Sequence, residues 1–261
     1  MEAREFYDAL GDDYDLMVSW EERLRREEPF FRGAFAEHGV RSVLDAACGT
    51  GMHAVAFARW GLAAAGADLS PAMIDRAREH ARAAGVEVAL SVAAFGGLAA
   101  AFPSRAGRFD AITCLGNSLP HLPDDAALEA ALADMARMLR PGGLLVAQDR
   151  NYDRVLAERV RFMPITARGE PGDETIFLRI TDFLGADRLA FTVVTLRNAG
   201  GTWSCGAKTT PLRGIERATL ERALSRAGFA AVQCFGGYSR EPFGAPGTAD
   251  LIALAVKRGT A

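Results

Sequence analysis

The residues of this chain that could do chemistry recur at one kind of place. Asp45, Gly49 and Gly51 lie in the stretch Val43 to Gly51 (VLDAACGTG), where an apolar run ends in an acid and breaks into small residues. An Ala-rich helix pattern follows at once, so the stretch reads as a strand, a tight turn and a helix start. Asp68-Leu69-Ser70 ends a second apolar run, Leu115-Gly116-Asn117-Ser118 through His121 a third, and Asp149-Arg150-Asn151-Tyr152 a fourth. Gly49 and Gly51 let a ligand approach the backbone because no Cβ stands in the way. The free N–H groups of the next helix then face that ligand. Such a loop makes a nucleotide-shaped pocket.

Two cofactors compete for it. Gly49-Thr50-Gly51-Met52-His53-Ala54 satisfies the dinucleotide pattern G-x-G-x-x-G/A, and Asp68 follows at the ~20-residue distance of a ribose contact. Asp45 favours S-adenosylmethionine instead, because a carboxylate there attracts a cationic amino group and would repel a pyrophosphate. Asp68 can accept both ribose hydroxyls, and Phe95, after the third strand, can stack on an adenine face. No Tyr-x-x-x-Lys pair follows to support hydride transfer by an NAD-dependent oxidoreductase. No His/Cys/Asp spacing suggests a metal, and no nucleophile motif accompanies a Ser-His-Asp or Cys-His set. His38, His53 and His80 fall on helix patterns and read as surface or packing residues.

The elements that must position these residues alternate. Strands are expected at Val43 to Asp45, Ala63 to Asp68, Val86 to Val92, Phe109 to Leu115 and Leu144 to Gln148. Helices are expected between them: Gly51 to Trp60, Ser70-Pro71 to Ala84, and Asp124 to the Pro141-Gly142-Gly143 stop. A helix over Glu21 to His38 precedes them, with Pro29 expected to bend or restart it. Residues 1–20 hold Tyr7, Tyr14 and Trp20 among acids, a sparse pattern for core. After Arg150 the rhythm changes. Thr175 to Ile180, Arg188 to Leu196 and Thr202 to Thr209 read as antiparallel strands separated by turns. A helix over Arg217 to Arg226 and strands over Phe229 to Phe235 and Leu251 to Val256 then return to α/β character.

The expected fold is therefore α/β: a doubly wound, mostly parallel seven-stranded sheet with an antiparallel β insertion as a lid. Residues 1–40 would cap the cofactor, 41–157 and 213–261 would form the core, and 158–212 the insertion. At 261 residues, one large domain with an insertion fits the length. A net charge of −3, with Arg23-Leu24-Arg25-Arg26 as the densest basic run and acids around it, argues against a nucleic-acid partner. No apolar run reaches the ~18 residues of a membrane span, and MEAREFYDALGDDYD does not read as a signal peptide. Four scattered cysteines (48, 114, 205, 234) read as reduced thiols of a cytoplasmic protein. The sequence leaves a homo-oligomer open.

VLDAACGTG resembles the first motif of class I methyltransferases. CLGNSLPHLPD (Cys114 to Asp124) and RPGGLLVAQDRNYD (Arg140 to Asp153) closely resemble the matching segments of glycine and sarcosine N-methyltransferases. The likeness covers roughly residues 40–155. It implies methyl transfer from S-adenosyl-L-methionine, with S-adenosyl-L-homocysteine as product, to a nitrogen of a small-molecule acceptor. In that family the Asn of the GNS segment and the Arg of the RNYD segment hold the substrate carboxylate, which assigns those roles to Asn117 and Arg150. Leu115 and His121 would lie at the cofactor, with Ala47, Leu69 and Met73 completing its site. Tyr7, Tyr14 and Arg23 would close over it from the N-terminal segment. Two departures stand out. Ala94 replaces the family's Asn before the adenine-side aromatic, and Thr209-Thr210-Pro211 stands where paired tyrosines cage the amino acid. The second departure also permits a heteroaromatic acceptor, such as an azapteridine or a pyrimidine-like ring.

Overall fold

Val43 and Leu44, Ala64 and Ala65, Ala111 and Ile112, and Leu144 and Leu145 are sequence neighbours that side with opposite faces of one sheet. All eight are buried, so both faces must be covered by helices. The computed structural model, which describes residues 1–259, supplies them. In chain order, α1 (Ala3–Leu10), α2 (Asp12–Met17) and α3 (Trp20–Glu37) lead to β1 (Ser42–Ala46), α4 (Met52–Arg59), β2 (Ala63–Asp68), α5 (Pro71–Ala83) and β3 (Ala89–Val92). Then come α6 (Leu98–Ala101), β4 (Phe109–Cys114), α7 (Asp125–Met138), β5 (Leu139–Arg150) and α8 (Tyr152–Ala157). The insertion is β6 (Thr166–Glu170), β7 (Asp173–Phe183), β8 (Arg188–Ala199) and β9 (Thr202–Arg213); α9 (Arg217–Arg226), β10 (Phe229–Phe235) and β11 (Asp250–Lys257) close the chain.

The main sheet has the order β10-β11-β5-β4-β1-β2-β3, with β11 antiparallel to both its neighbours. Helices α3 and α4 cover one face through Phe30, Phe31, Phe35 and Phe57. Leu98, α7 and α9 cover the other. The chain reverses direction of travel between β1 and β4, which pair in parallel, and the carboxyl ends of these strands form the crevice where open α/β sheets bind ligands. The second sheet, β6-β7-β8-β9, is wholly antiparallel. Among the described residues no helix is long and apolar enough to cross a membrane.

Four local expectations need correction. Pro29 does not restart α3, which runs unbroken through it. Pro29 and Arg25 are both exposed, so the Arg25 carbonyl that loses its helical partner reaches water instead. Residues 1–20 do contribute core: Phe6, Leu10 and Met17 are buried against Phe177 and Val193 of the insertion. The insertion has a fourth strand, β6, and packs against Tyr152 and Val155 of α8 through Leu189 and Leu212. Finally, β3 starts only at Ala89, while β5 starts already at Leu139. There Pro141 holds the preceding backbone extended, and the register shifts across Pro141-Gly142-Gly143.

Candidate active site

The loop after β1 is folded by hydrogen bonds that cross to β2. Cys48 N–H donates to the Ala67 carbonyl (2.9 Å) and Gly49 N–H donates to Asp68 Oδ2 (2.8 Å). The other carboxylate oxygen of Asp68 accepts from Ser70 N–H at 2.9 Å. Ser70 in turn caps α5 by accepting from Met73 N–H. One carboxylate thus ties the glycine loop to the start of the next helix while keeping a face on the cavity. Asp68 is 6% exposed. Its pKa is pushed up to about 6 by burial, against the Ser70 and Gly49 N–H bonds that lower it.

Two chambers adjoin here. The first is lined by Ala47, Gly49, Asp68, Leu69, Phe95 and Leu115, among others. The second, about 610 Å³, is lined by Arg23, Asn117, Gln148, Arg150, Arg179 and Tyr238 and bounded by the insertion. Tyr7, Tyr14, Gly116 and His121 line both. Tyr7 Oη and His121 Nε2 are hydrogen-bonded at 3.0 Å on this common wall. Burial holds the His121 pKa down at about 4, so the ring is neutral near pH 7, and its Nδ1 is buried without a partner.

The N-terminal helices are latched onto the first chamber by two acids. Ser70 Oγ donates to Asp8, and Thr50 Oγ1 donates to Asp15 at 2.7 Å, which also accepts from Trp20 Nε1 at 2.7 Å. These latches carry Tyr7 and Tyr14 to the glycine loop, where a Cβ on Gly49 would stand 3.7 Å from the Tyr14 ring.

At the second chamber the side-by-side strands β4 and β5 bring Asn117 and Arg150 together. Asn117 sits at a left-handed φ of 71° just past β4. Its Oδ1 accepts from the Arg150 backbone N–H (3.1 Å) and its Nδ2 donates to Tyr152 Oη (3.0 Å). Asn117 therefore first fixes the end of β5, leaving one amide proton for a ligand. Arg150 extends to β7, where Nη1 donates to Thr181 Oγ1 at 3.0 Å. Burial lowers its pKa, and the Tyr152 oxygen opposes that.

The expected cofactor residues do not all reach the first chamber. Asp45 is 1% exposed and accepts from Thr113 Oγ1 at 2.6 Å, behind the wall rather than on it. Burial raises its pKa, against the lowering influence of nearby His53 and the Thr113 bond. Met73 is likewise buried outside the lining, on the inward face of α5. Gly51 serves packing: a Cβ there would lie 2.6 Å from Ala77 Cβ on α5, and its φ is +77°. Arg23 faces the second chamber, paired with Glu27 at 2.8 Å. Glu27 also accepts from His53 at 2.7 Å, so His53 belongs to a buried ion-pair network. Thr209-Thr210-Pro211 lies on β9; Thr209 bonds Thr192 and Thr210 is buried. Arg179, Tyr238 and Gln148 line the second chamber without having been singled out from the sequence. Arg179 sits in an ordinary strand pattern, and only Gly236-Gly237-Tyr238 carries a signal, an aromatic in a glycine loop.

A profile for the family described as "Methyltransferase domain" matches residues 43–143. The chain is 31% identical, over 91% of its own length and 80% of the relative's, to a glycine/sarcosine N-methyltransferase of Parasynechococcus marenigrum. It is 34% identical to the glycine/sarcosine N-methyltransferase of Halorhodospira halochloris, over 58% of this chain and 56% of that one. An S-adenosylmethionine-dependent methyltransferase from Clostridium acetobutylicum shares its fold, with a TM-score of 0.77 at 18% identity over 98% of both chains. With a relative matched along nearly the whole chain, and with the strand order and insertion described above, this protein belongs to the class I S-adenosylmethionine-dependent methyltransferases, in the family of the glycine/sarcosine N-methyltransferases.

Proposed function

We propose that this chain methylates the nitrogen of a small amine that carries a carboxylate, glycine and sarcosine being the simplest of the class. The observation that carries the reading is the pair of chambers meeting at Tyr7, Tyr14, Gly116 and His121, with Arg150 facing the second. The cofactor fits the donor set of the first. Asp68 opens a buried carboxylate to it for the ribose hydroxyls, and Leu69 and Phe95 give it apolar flanks for a flat base. When bound, S-adenosylmethionine supplies an electrophilic methyl group and leaves as S-adenosylhomocysteine.

The chain's own residues have positioning work to do. Arg150 orients the acceptor by a planar two-pronged grip on its carboxylate, and Asn117 adds its remaining amide proton. A neutral His121 on the common wall adds no positive charge to repel the sulfonium. The latched N-terminal helices and the insertion exclude water. Holding both ligands in line can contribute much of the ~7–11 kcal/mol available from orientation. The family assignment sets aside the nicotinamide alternative. A neutral heteroaromatic acceptor has one observation in its favour: Tyr7, Tyr14, Phe191 and Tyr238 all line the second chamber.

The test is release of S-adenosylhomocysteine across a panel of amino acids and heteroaromatic amines, repeated with Arg150→Lys. A carboxylate-bearing acceptor should lose about tenfold or more in turnover while cofactor affinity holds, because lysine keeps the charge without the fork. Normal turnover by Arg150→Lys on the best acceptor would refute the grip and direct the search to flat neutral rings.

A further inference from the structure

The second chamber holds more cations than it pairs. Three acids line it: Glu27 is buried and engaged with Arg23 and His53, Glu22 is exposed, and Asp250, the cross-strand partner of Arg150, is part-buried and accepts from Gln148 Nε2 at 2.8 Å. The same chamber presents Arg150 and Arg179. Residues two apart on a strand share a face, so Thr181, which accepts from Arg150, points the same way as Arg179 on β7. That contact places the Arg150 guanidinium beside Arg179. Among the described residues neither arginine makes an ion pair, and each feels chiefly burial; Arg179 also feels the like charges of Arg150 and Arg168. Arg179 Nη2 donates to the Pro164 carbonyl (3.0 Å) and Thr166 Oγ1 (3.2 Å), while its Nε is buried without a partner. Two half-buried cations thus face one cavity with no carboxylate, Asp250 included, at ion-pair distance from either among the described residues.

Such a pair is unfavourable until an anion enters. A single carboxylate would neutralise one guanidinium and leave the other unpaired. An acceptor bearing two negative charges would neutralise both.

We propose that Arg179 is a second anion-binding residue and that the acceptor of this enzyme is an amine carrying a dianionic oxyacid, held between Arg150 and Arg179. This rests on the methyl-transfer reading for the word acceptor, but the anion site can be tested without catalysis. The dianion could be two carboxylates or a phosphate monoester, which share the oxygen chemistry both guanidiniums recognise. Strand β7 of the insertion thereby supplies specificity as well as cover.

The experiment titrates acetate, succinate and inorganic phosphate into the protein saturated with S-adenosylhomocysteine, at constant ionic strength and pH 8. Wild type, Arg179→Gln and Arg179→Lys are compared, each first shown to melt cooperatively. Succinate or phosphate should bind about tenfold or more tightly than acetate to wild type. Arg179→Gln should abolish that preference, and Arg179→Lys should restore part of it. Whichever dianion binds better identifies the source of the charge. Equal binding of acetate and both dianions, or a preference that survives Arg179→Gln, would overturn the proposal. Turnover is then measured with glycine, aspartate and O-phosphoserine. A dianion preference without turnover of any of the three would leave the anion site standing and remove the reading that the acceptor is a carboxylate-bearing amine. Turnover of glycine at least equal to that of both dianionic amines would keep that reading and overturn the dianionic acceptor.

Discussion

Asp68 is the residue on which cofactor binding should depend most steeply. Its two oxygens already accept from Gly49 and Ser70 N–H groups, at 2.8 and 2.9 Å, and the remaining lone pairs face the first chamber. A hydrogen bond to a charged group contributes about 1.5–3 kcal/mol, and 1.4 kcal/mol is a factor of ten. Loss of even one ribose contact in Asp68→Ala should therefore weaken S-adenosylhomocysteine binding at least tenfold, and loss of both by more. Calorimetric titration at pH 8 measures this, with a thermal melt to show that the variant folds. The pH dependence adds a second check. Burial raises the Asp68 pKa to about 6, against the two N–H bonds, so protonation on going from pH 7 to 5 removes acceptor capacity and affinity should fall. Stability moves the other way. Because the folded pKa lies above the unfolded value of ~3.9, the native state holds this proton more tightly, and this group's contribution to stability falls as pH rises from about 4 to about 6. Weaker binding at pH 5 thus cannot come from an Asp68-driven loss of fold. Unchanged affinity in a folded Asp68→Ala protein would refute the assignment.

Two further outcomes follow from the packing. Gly51→Ala should destabilise the protein by about 2–5 kcal/mol, from left-handed strain and a clash with Ala77. A thermal melt shows it, and adding Ala77→Gly should recover part of the loss; an unchanged melting temperature would mean that Gly51 serves ligand approach alone. Amide hydrogen exchange should be faster over 202–207 of the exposed edge strand β9 than over 144–148 of β5, and should slow when both ligands bind. Equal protection without ligand would make the insertion a rigid subdomain.

Much of this protein was legible in its sequence because local rules and global fold agree. Strand–helix alternation, the Ser70 and Asp124 caps and the glycine stops set the order of elements. Asp68, Asn117 and Arg150 stand out because polar residues that end apolar strands have few other reasons to be there, and the fold brings them to the walls of the two chambers. Local pattern could not distinguish Gly51 as a packing glycine from Gly49 beside the cavity, since both need a positive φ and only the approach of α5 separates them. It could not show that Asp45 turns to Thr113 behind the wall, or that Asp8 and Asp15 are latches, because their partners lie 62 and 35 residues away or on another strand. Nor could it raise Arg179 above any other strand arginine. A charge acquires a role from what surrounds it, and the surroundings of Arg179 are assembled only when β7 folds back over the end of β5.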